Sequence, residues 1–441
     1  VSADDYYLAL QWIETVDPKN YAEASYQDLA IGQWVTSSIY TYFRITSKGL
    51  SRPDVRKVHR DYLIDGLVTY KAVSRLINYY QPTHLFLLGA RLAPSRIAFE
   101  VARKLNIDVV VQERGYINDS YTLVNNHTCL DTKPKQHVIN AWENIPLDNS
   151  ELLQVKKYWL DRESGQNLNY LSFYDYQTEY TSVRRRLNIP EDAKIFVVFT
   201  SSEDELAMFQ DFAEINVQLD IIERLIEIFA ERDEYLVIRH HPNIGGNKHL
   251  PAEMDFIARA YQQSLSVPSN VRIVMPFEQL TSYALLWHTD AAIAFFSTMA
   301  IECVAKGIPT ASSKQSLYHQ ALRYIIHQSD TESLRTLVDS LFSESAKPTL
   351  EDLKKVYRFT NALFFKYSNK FSSFNAQGLT YESNDELKVG IDPVLDKVCN
   401  HILYGSSLYN LPTDNDKKRS VTEENDFLKK HLLEIEDFRN R

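Results

Sequence analysis

The sequence predicts an α/β fold: two parallel sheets, each wrapped by helices, with a cleft where the carboxyl ends of the strands meet. Three observations predict it. Short apolar runs closed by Gly, Pro or a polar turn alternate with stretches of helical spacing, and they do so in two series separated by a polar segment. The 441 residues amount to about three domains of ~150 residues, more than one small module needs. Apolar residues make up 44% of the chain, enough for large cores, yet no run approaches the ~18 apolar residues of a membrane span.

Residues 1 to about 80 read mostly as helices, the last running from Asp61 through Leu76, Ile77 and Tyr80 until Pro82 stops it. The run from His84 to Leu88 is a strand ended by Gly89, Pro94 to Leu105 is a helix, and Asp108 to Val111 is a second strand ended by Glu113-Arg114-Gly115. Strand, helix and strand within about 30 residues make a βαβ unit. Residues 145 to 190 are polar, helical and Tyr-rich, and Pro190 marks a domain boundary. The second series has strands at Ile195–Phe199, Glu234–Ile238, Val271–Val274, Ala291–Phe296 and Ile308–Ala311. Helices lie between them at Val217–Ala230, Leu280–Trp287 and Met299–Lys306. From about 350 the chain is helical again. A polar linker then leads to Ser420-Val421-Thr422-Glu423, which fits a capping box. Leu428, Leu432, Ile435 and Phe438 follow at helical spacing, as the face of a helix that packs on the body or meets a partner protein.

Charge excludes one class of function. Acidic residues outnumber basic ones by 58 to 48, and no basic block exceeds Arg184-Arg185-Arg186, so the basic stripe of a nucleic-acid-binding protein is missing. Cys129, Cys303 and Cys399 lie far apart with no metal-ligand spacing and read as reduced core residues. The expected compartment is the cytoplasm, with the protein either free or peripheral to the inner membrane.

Neither a GxGxxG nor a GxxxxGK[ST] pattern is present, so any phosphate must be held another way. The sharpest candidate is the segment from Phe295 to Glu302, where an apolar strand delivers Ser297 and Thr298 to the first turn of a helix, a place that favours anions. Glu302 falls one turn beyond Thr298 on the same face, where its carboxylate would accept hydrogen bonds from ribose hydroxyls. The plainer alternative is that Ser297 is an N-cap. Arg239-His240-His241-Pro242 follows a strand end, and Pro242 fixes the turn so that an imidazole is presented to a nucleotide phosphate. A loop histidine with no role is the competing reading. Carboxylates follow two strand ends, Glu113 in the first series and Glu203, Asp204 and Glu205 in the second. Glycosyl transfer needs such groups as base or nucleophile. The three clustered acids would equally suit the charged first turn of a helix.

Together, Gly89-Ala90-Arg91, Glu113-Arg114-Gly115, Thr200-Ser201-Ser202 with the acids that follow, His241-Pro242, Ser282 to Leu286, and Phe296-Ser297-Thr298 with Glu302, Gly307 and Pro309 resemble bacterial surface and capsular polysaccharide glycosyltransferases of the GT-B fold, most nearly the retaining β-Kdo transferases. The resemblance covers about residues 80 to 315. It implies two Rossmann-like domains: 1–190 with added helices on the acceptor side, and 191–345 on the donor side. Residues 346–410 then pack back as helices, and 411–441 form a linker and an amphipathic helix. It further implies a nucleotide sugar, CMP-Kdo first, as co-substrate without any other cofactor. Its phosphate falls to His241, Ser297 and Thr298, a carboxylate nucleophile to Asp204 or a neighbour, and the acceptor is a glycan or glycolipid. No Asp-x-Asp lies in the cleft region, and Asp414-Asn415-Asp416 reads as linker, so no metal is expected. Polyol-phosphate transferases of the CDP-glycerol type share the His-Pro and Ser-Thr segments but typically carry Asp-Tyr-Ser-Ser where this chain has Ala294-Phe295-Phe296-Ser297. A non-catalytic nucleotide- or glycan-binding module of an assembly complex is the third reading.

Overall fold

A computed structural model describes residues 1–166, 182–203, 217–247, 250–371, 374–375, 378–379 and 384–439. The chain is α/β, with two compact α/β units. The first is built on Val1–Val138 and Leu363–Leu411, the second on the chain between them and on the C-terminal helix. The described residues among 139–190, which the sequence boundary gave to the first domain, therefore cluster with the second.

The first unit opens with helices Ala3–Ile13, Ile31–Phe43 and Pro53–Tyr80. Ser2 and Asp5 close a capping box on the first helix. The third ends where Gln81 turns left-handed ahead of Pro82. Strands β1 (His84–Leu88) and β2 (Asp108–Arg114) pair in parallel across helix Ala93–Lys104, as the sequence predicts. A strand the sequence did not show, β3 (Tyr121–Asn125), pairs antiparallel to β2. Val394 and Val398 of helix Pro393–Tyr404 and Leu408 pack with Val110 and Leu123, and Asn369 bridges to Tyr121. These contacts draw the 363–411 segment to the first unit.

The second unit holds a six-stranded, all-parallel sheet: β4 (Ile195–Phe199), β5 (Tyr235–Arg239), β6 (Val271–Val274), β7 (Ala291–Ala294), β8 (Thr310–Ser313) and β9 (Tyr324–Ile326). Their spatial order is β6-β5-β4-β7-β8-β9. The chain winds one way from β4 through β5 to β6, then crosses to β7 and winds the other way. That is the doubly wound order, with its switch point between β4 and β7. β4 and β7 are buried along their whole length, as continuous apolar runs covered on both faces must be.

Three helices pack together: Asn149–Glu163, Leu350–Thr360 and the C-terminal Thr422–Arg439. Tyr357 meets the rings of Trp159, Phe427 and His431, and the fully buried Glu424 accepts from Arg358 and from the Leu147 N–H. The face carrying Leu428 and Ile435 thus docks on the body, and Ile435 lies so close to Gly307 that a Cβ there would stand 2.5 Å from it. The Ser420 capping box does not form. The helix starts at Thr422, and Ser420 Oγ takes the Thr422 N–H, one residue short of the Glu423 N–H a box requires. Among the described residues no helix is long and apolar enough to cross a membrane. All three cysteines are unbridged; Cys303 is buried as expected, but Cys399 is exposed.

Candidate functional site

The carboxyl ends of β4, β5 and β7 are neighbours at the switch point, and the predicted phosphate-binding residues follow two of them. The loop after β4 ties the three ends together. Thr200 Oγ1 accepts the His241 N–H at 2.9 Å, Ser201 Oγ accepts the Phe296 N–H at 3.2 Å, and Ser202 Oγ accepts from Asn243 Nδ2 at 3.2 Å. Ser201 is itself bracketed by Gln218, whose amide bonds both its N–H and its C=O. Three successive hydroxyls thus fix the β5 and β7 loops against β4. In the sequence they read only as a motif beside acids.

His241 begins a tight turn, Pro242–Gly245, and its Nδ1 accepts the Asn243 N–H at 3.2 Å. That bond places the ring proton on Nε2, the nitrogen able to donate to an anion. The turn cap and a phosphate donor are compatible in one ring. His240 is placed differently. It is fully buried, edge-on to Phe256, and burial beside Arg239 pushes its imidazole down to about 3, so it stays neutral. Successive residues of an extended chain point to opposite faces, which is why two adjacent histidines part here. Arg239 is also buried and donates to the Met275 carbonyl at 2.8 Å, holding the loop after β6.

After β7, Ser297 Oγ accepts the Met299 N–H at 3.2 Å and keeps its own proton to donate, but the N-cap of the helix is Thr298, whose side chain makes no cap bond, so the N-cap reading of Ser297 is corrected to a bond from one residue ahead of the cap. Helix Met299–Ala305 has seven residues, too few for its dipole to hold an anion unaided. Thr298 Oγ1 accepts from Arg162 Nη2 at 2.9 Å. Glu302 lies on the same face, as the spacing predicts, but its carboxylate is not turned to a sugar. Arg162 Nε donates to Oε1 at 3.0 Å and the Tyr283 hydroxyl to Oε2 at 2.7 Å. Burial raises the Tyr283 phenol well above its ordinary value, so it remains a donor. The ribose-binding role is corrected to that of a buried ion pair. On its far side the cluster borders a cavity of ≈ 210 Å³ under the C-terminal helix, lined also by Trp159, Trp287, Lys306 and Ile435.

Of the clustered acids, Glu203 is buried, and its N–H donates to the equally buried Glu253. Asp204 and Glu205 lie outside the described residues. Glu113 stands at the end of β2 in the first unit. Its Oε1 accepts the Arg114 N–H at 2.8 Å. Gly89, at φ +65°, makes room for it, since a Cβ there would lie 2.9 Å from Oε2 and 3.8 Å from Cys129 Sγ. Cys129 donates its N–H to the Gly89 carbonyl at 3.0 Å and accepts from Lys135 Nζ at 2.9 Å through its own carbonyl. Burial, reinforced by the Glu113 charge, pushes the Cys129 thiol up to about 11. Burial lowers Lys135, against the pull of Cys129, Asp131 and Glu113. Among the described residues no group of His, Cys, Asp or Glu is arranged to hold a metal ion.

No family model matches the chain, and no curated protein is similar to it in sequence. Solved structures resemble it distantly. The KpsC β-Kdo 2,4 transferase of Thermosulfurimonas dismutans has a TM-score of 0.43 at 11% identity, over 65% of this chain and 80% of that one. S. aureus MnaA, in a UDP co-structure, has 0.37 at 10%, over 79% and 81%. MurG of Acinetobacter baumannii has 0.30 at 11%, over 69% and 77%.

Proposed function

We propose that this chain is a glycosyltransferase that moves a sugar from a nucleotide donor to a glycan or glycolipid acceptor in surface-polysaccharide synthesis, with the second unit as the donor side. The observation that carries this reading is the strand order. It reverses between β4 and β7, and the loops bearing His241, Ser297 and Thr298 emerge there, stitched by Thr200, Ser201 and Ser202. Ligands of doubly wound sheets bind at that position. Neutral hydroxyls and an Nε2–H suit a phosphate, and the same donors would stabilise the nucleoside phosphate as it departs.

Glu113 supplies the carboxylate on the acceptor side, as base for the acceptor hydroxyl or as nucleophile. The buried Glu203 is the weaker candidate, and Asp204 keeps the role the sequence resemblance gives it. That resemblance also favours CMP-Kdo as donor, retention of configuration, no metal, and a site of action in the cytoplasm or at the inner-membrane surface. A partner protein would have to meet the exposed side of the C-terminal helix, whose other side is docked.

The test is to incubate the protein with CMP-, CDP-, UDP- and GDP-sugars, with and without glycan acceptors, and assay free nucleotide. Release from one donor supports the transferase. Nucleotide binding with no release under any acceptor favours the binding module, and release of polyol phosphate from CDP-glycerol favours the polyol-phosphate branch.

A further inference from the structure

We propose that Arg162 is a positioning residue of the donor site, aiming the Thr298 hydroxyl proton at the donor phosphate. This inference rests on the donor-side reading above. Arg162 lies in helix Asn149–Glu163, 136 residues before Thr298 in sequence. Nothing in the sequence links the two.

A guanidinium has five donors and no acceptor, so in its 2.9 Å contact the Thr298 oxygen must accept. The threonine's own proton then points away from the arginine, leaving it to be donated elsewhere. An unconstrained hydroxyl would rotate among several partners, and fixing it removes that freedom before ligand arrives. The guanidinium is itself held. Its Nε donates to Glu302 Oε1 at 3.0 Å, and the other oxygen of that carboxylate takes the Tyr283 hydroxyl at 2.7 Å. Glu302 is 3% exposed, so the pair sits in a low dielectric where its geometry is stiff. Arg162 and Glu302 also cancel in charge. The pair offers a phosphate little net attraction, and the contribution left to Arg162 is orientation. Tyr283, part of the Ser282 to Leu286 segment that carried no role in the sequence, is the anchor of this chain of bonds.

The experiment is a double-mutant cycle on nucleotide affinity, measured by calorimetry with CMP and UDP on the full chain, using Arg162→Lys, Thr298→Val and the pair. Lysine keeps the charge beside Glu302 but lacks the second arm that reaches Thr298. Each single variant should weaken binding about ten-fold, the scale of one hydrogen bond to a charged group, and the double variant should lose no more than the weaker single one. Arg162→Met, which strands Glu302, serves as a second variant. It should lower the melting temperature, whereas Arg162→Lys should leave it nearly unchanged. Losses that multiply in the double variant, or an Arg162→Lys protein that binds as the parent does, overturn the inference while the donor-side reading stands. If the parent binds neither these nucleotides nor CDP and GDP, that reading falls and takes the inference with it.

Discussion

The two units end their sheets with different chemistry. At the carboxyl ends of β4, β5 and β7 the second unit presents Thr200, Ser201, Ser202 and Ser297, hydroxyls bonded to backbone N–H groups and a side-chain amide, Thr298, bonded to Arg162, and a histidine whose proton sits on Nε2. At the end of β2 the first unit presents Glu113 against Gly89 and Cys129, with the amine of Lys135 bonded to the Cys129 carbonyl. Neutral donors in fixed positions bind an anion without repelling it. A carboxylate with a thiol and an amine around it is suited to accepting a proton or an electrophile. Under the proposed function, the same strand-end position would hold the donor in one unit and react in the other.

Amide substitution tests this division most severely. Glu113→Gln keeps size and hydrogen-bonding shape but removes basicity. It should lower donor turnover ~10²- to 10⁴-fold while leaving nucleotide affinity within a factor of two of the parent, as measured by product release and calorimetry on one preparation. Loss of affinity equal to the loss of turnover would place Glu113 among the binding groups and erase the contrast. His241→Ala should follow, with a fall of ~10²- to 10³-fold in turnover and a small change in melting temperature, because the ring caps only one short turn. A variant that turns over normally would make the His-Pro turn structural. Third, replacing Ser297 and Thr298 together with Ala should weaken nucleotide binding by roughly 1 to 3 kcal/mol. A lower melting temperature at unchanged affinity would reduce Ser297 to its bond with the Met299 N–H.

Much of the second unit was legible in the sequence, because a strand covered on both faces must be a continuous apolar run. Ile195–Phe199 and Ala291–Ala294 are such runs with stops on either side, and the structure moves their edges by two residues at most. β3 and β9 were not legible. Tyr121–Asn125 and Tyr324–Ile326 are short, at sheet edges, and neither alternates nor runs apolar for long. In the site, the i,i+4 spacing correctly put Glu302 beneath Thr298, yet a carboxylate's partner is decided by what approaches it in space. Arg162 comes from 140 residues away, on a polar helix where it looks like any solvated arginine. The differing fates of His240 and His241 follow from strand alternation, a signal the sequence did contain.

The smallest expected effect separates the units by their buried histidines. Burial pushes His59 in the first unit down to about 4, His431 in the second to about 4, and His240 in the second to about 3. An unfolded histidine takes its proton near pH 6.5. Between that pH and the folded value the unfolded state binds more protons, so stability is full above pH 6.5 and falls as pH drops toward 4. Each histidine contributes a slope of at most ~1.4 kcal/mol per pH unit. The second unit, with two such groups among the described residues, should weaken more steeply than the first. His431→Gln keeps an acceptor for the Tyr357 hydroxyl, 2.7 Å from the native Nδ1, but cannot titrate. Urea unfolding between pH 7 and 4.5 should show a flatter dependence in this variant, and comparison with the parent cancels the carboxylates that titrate in the same range. Equal slopes would mean that His431 gains its proton in the folded state, with the nearby Glu434 outweighing both its burial and the Lys156 and Lys306 charges.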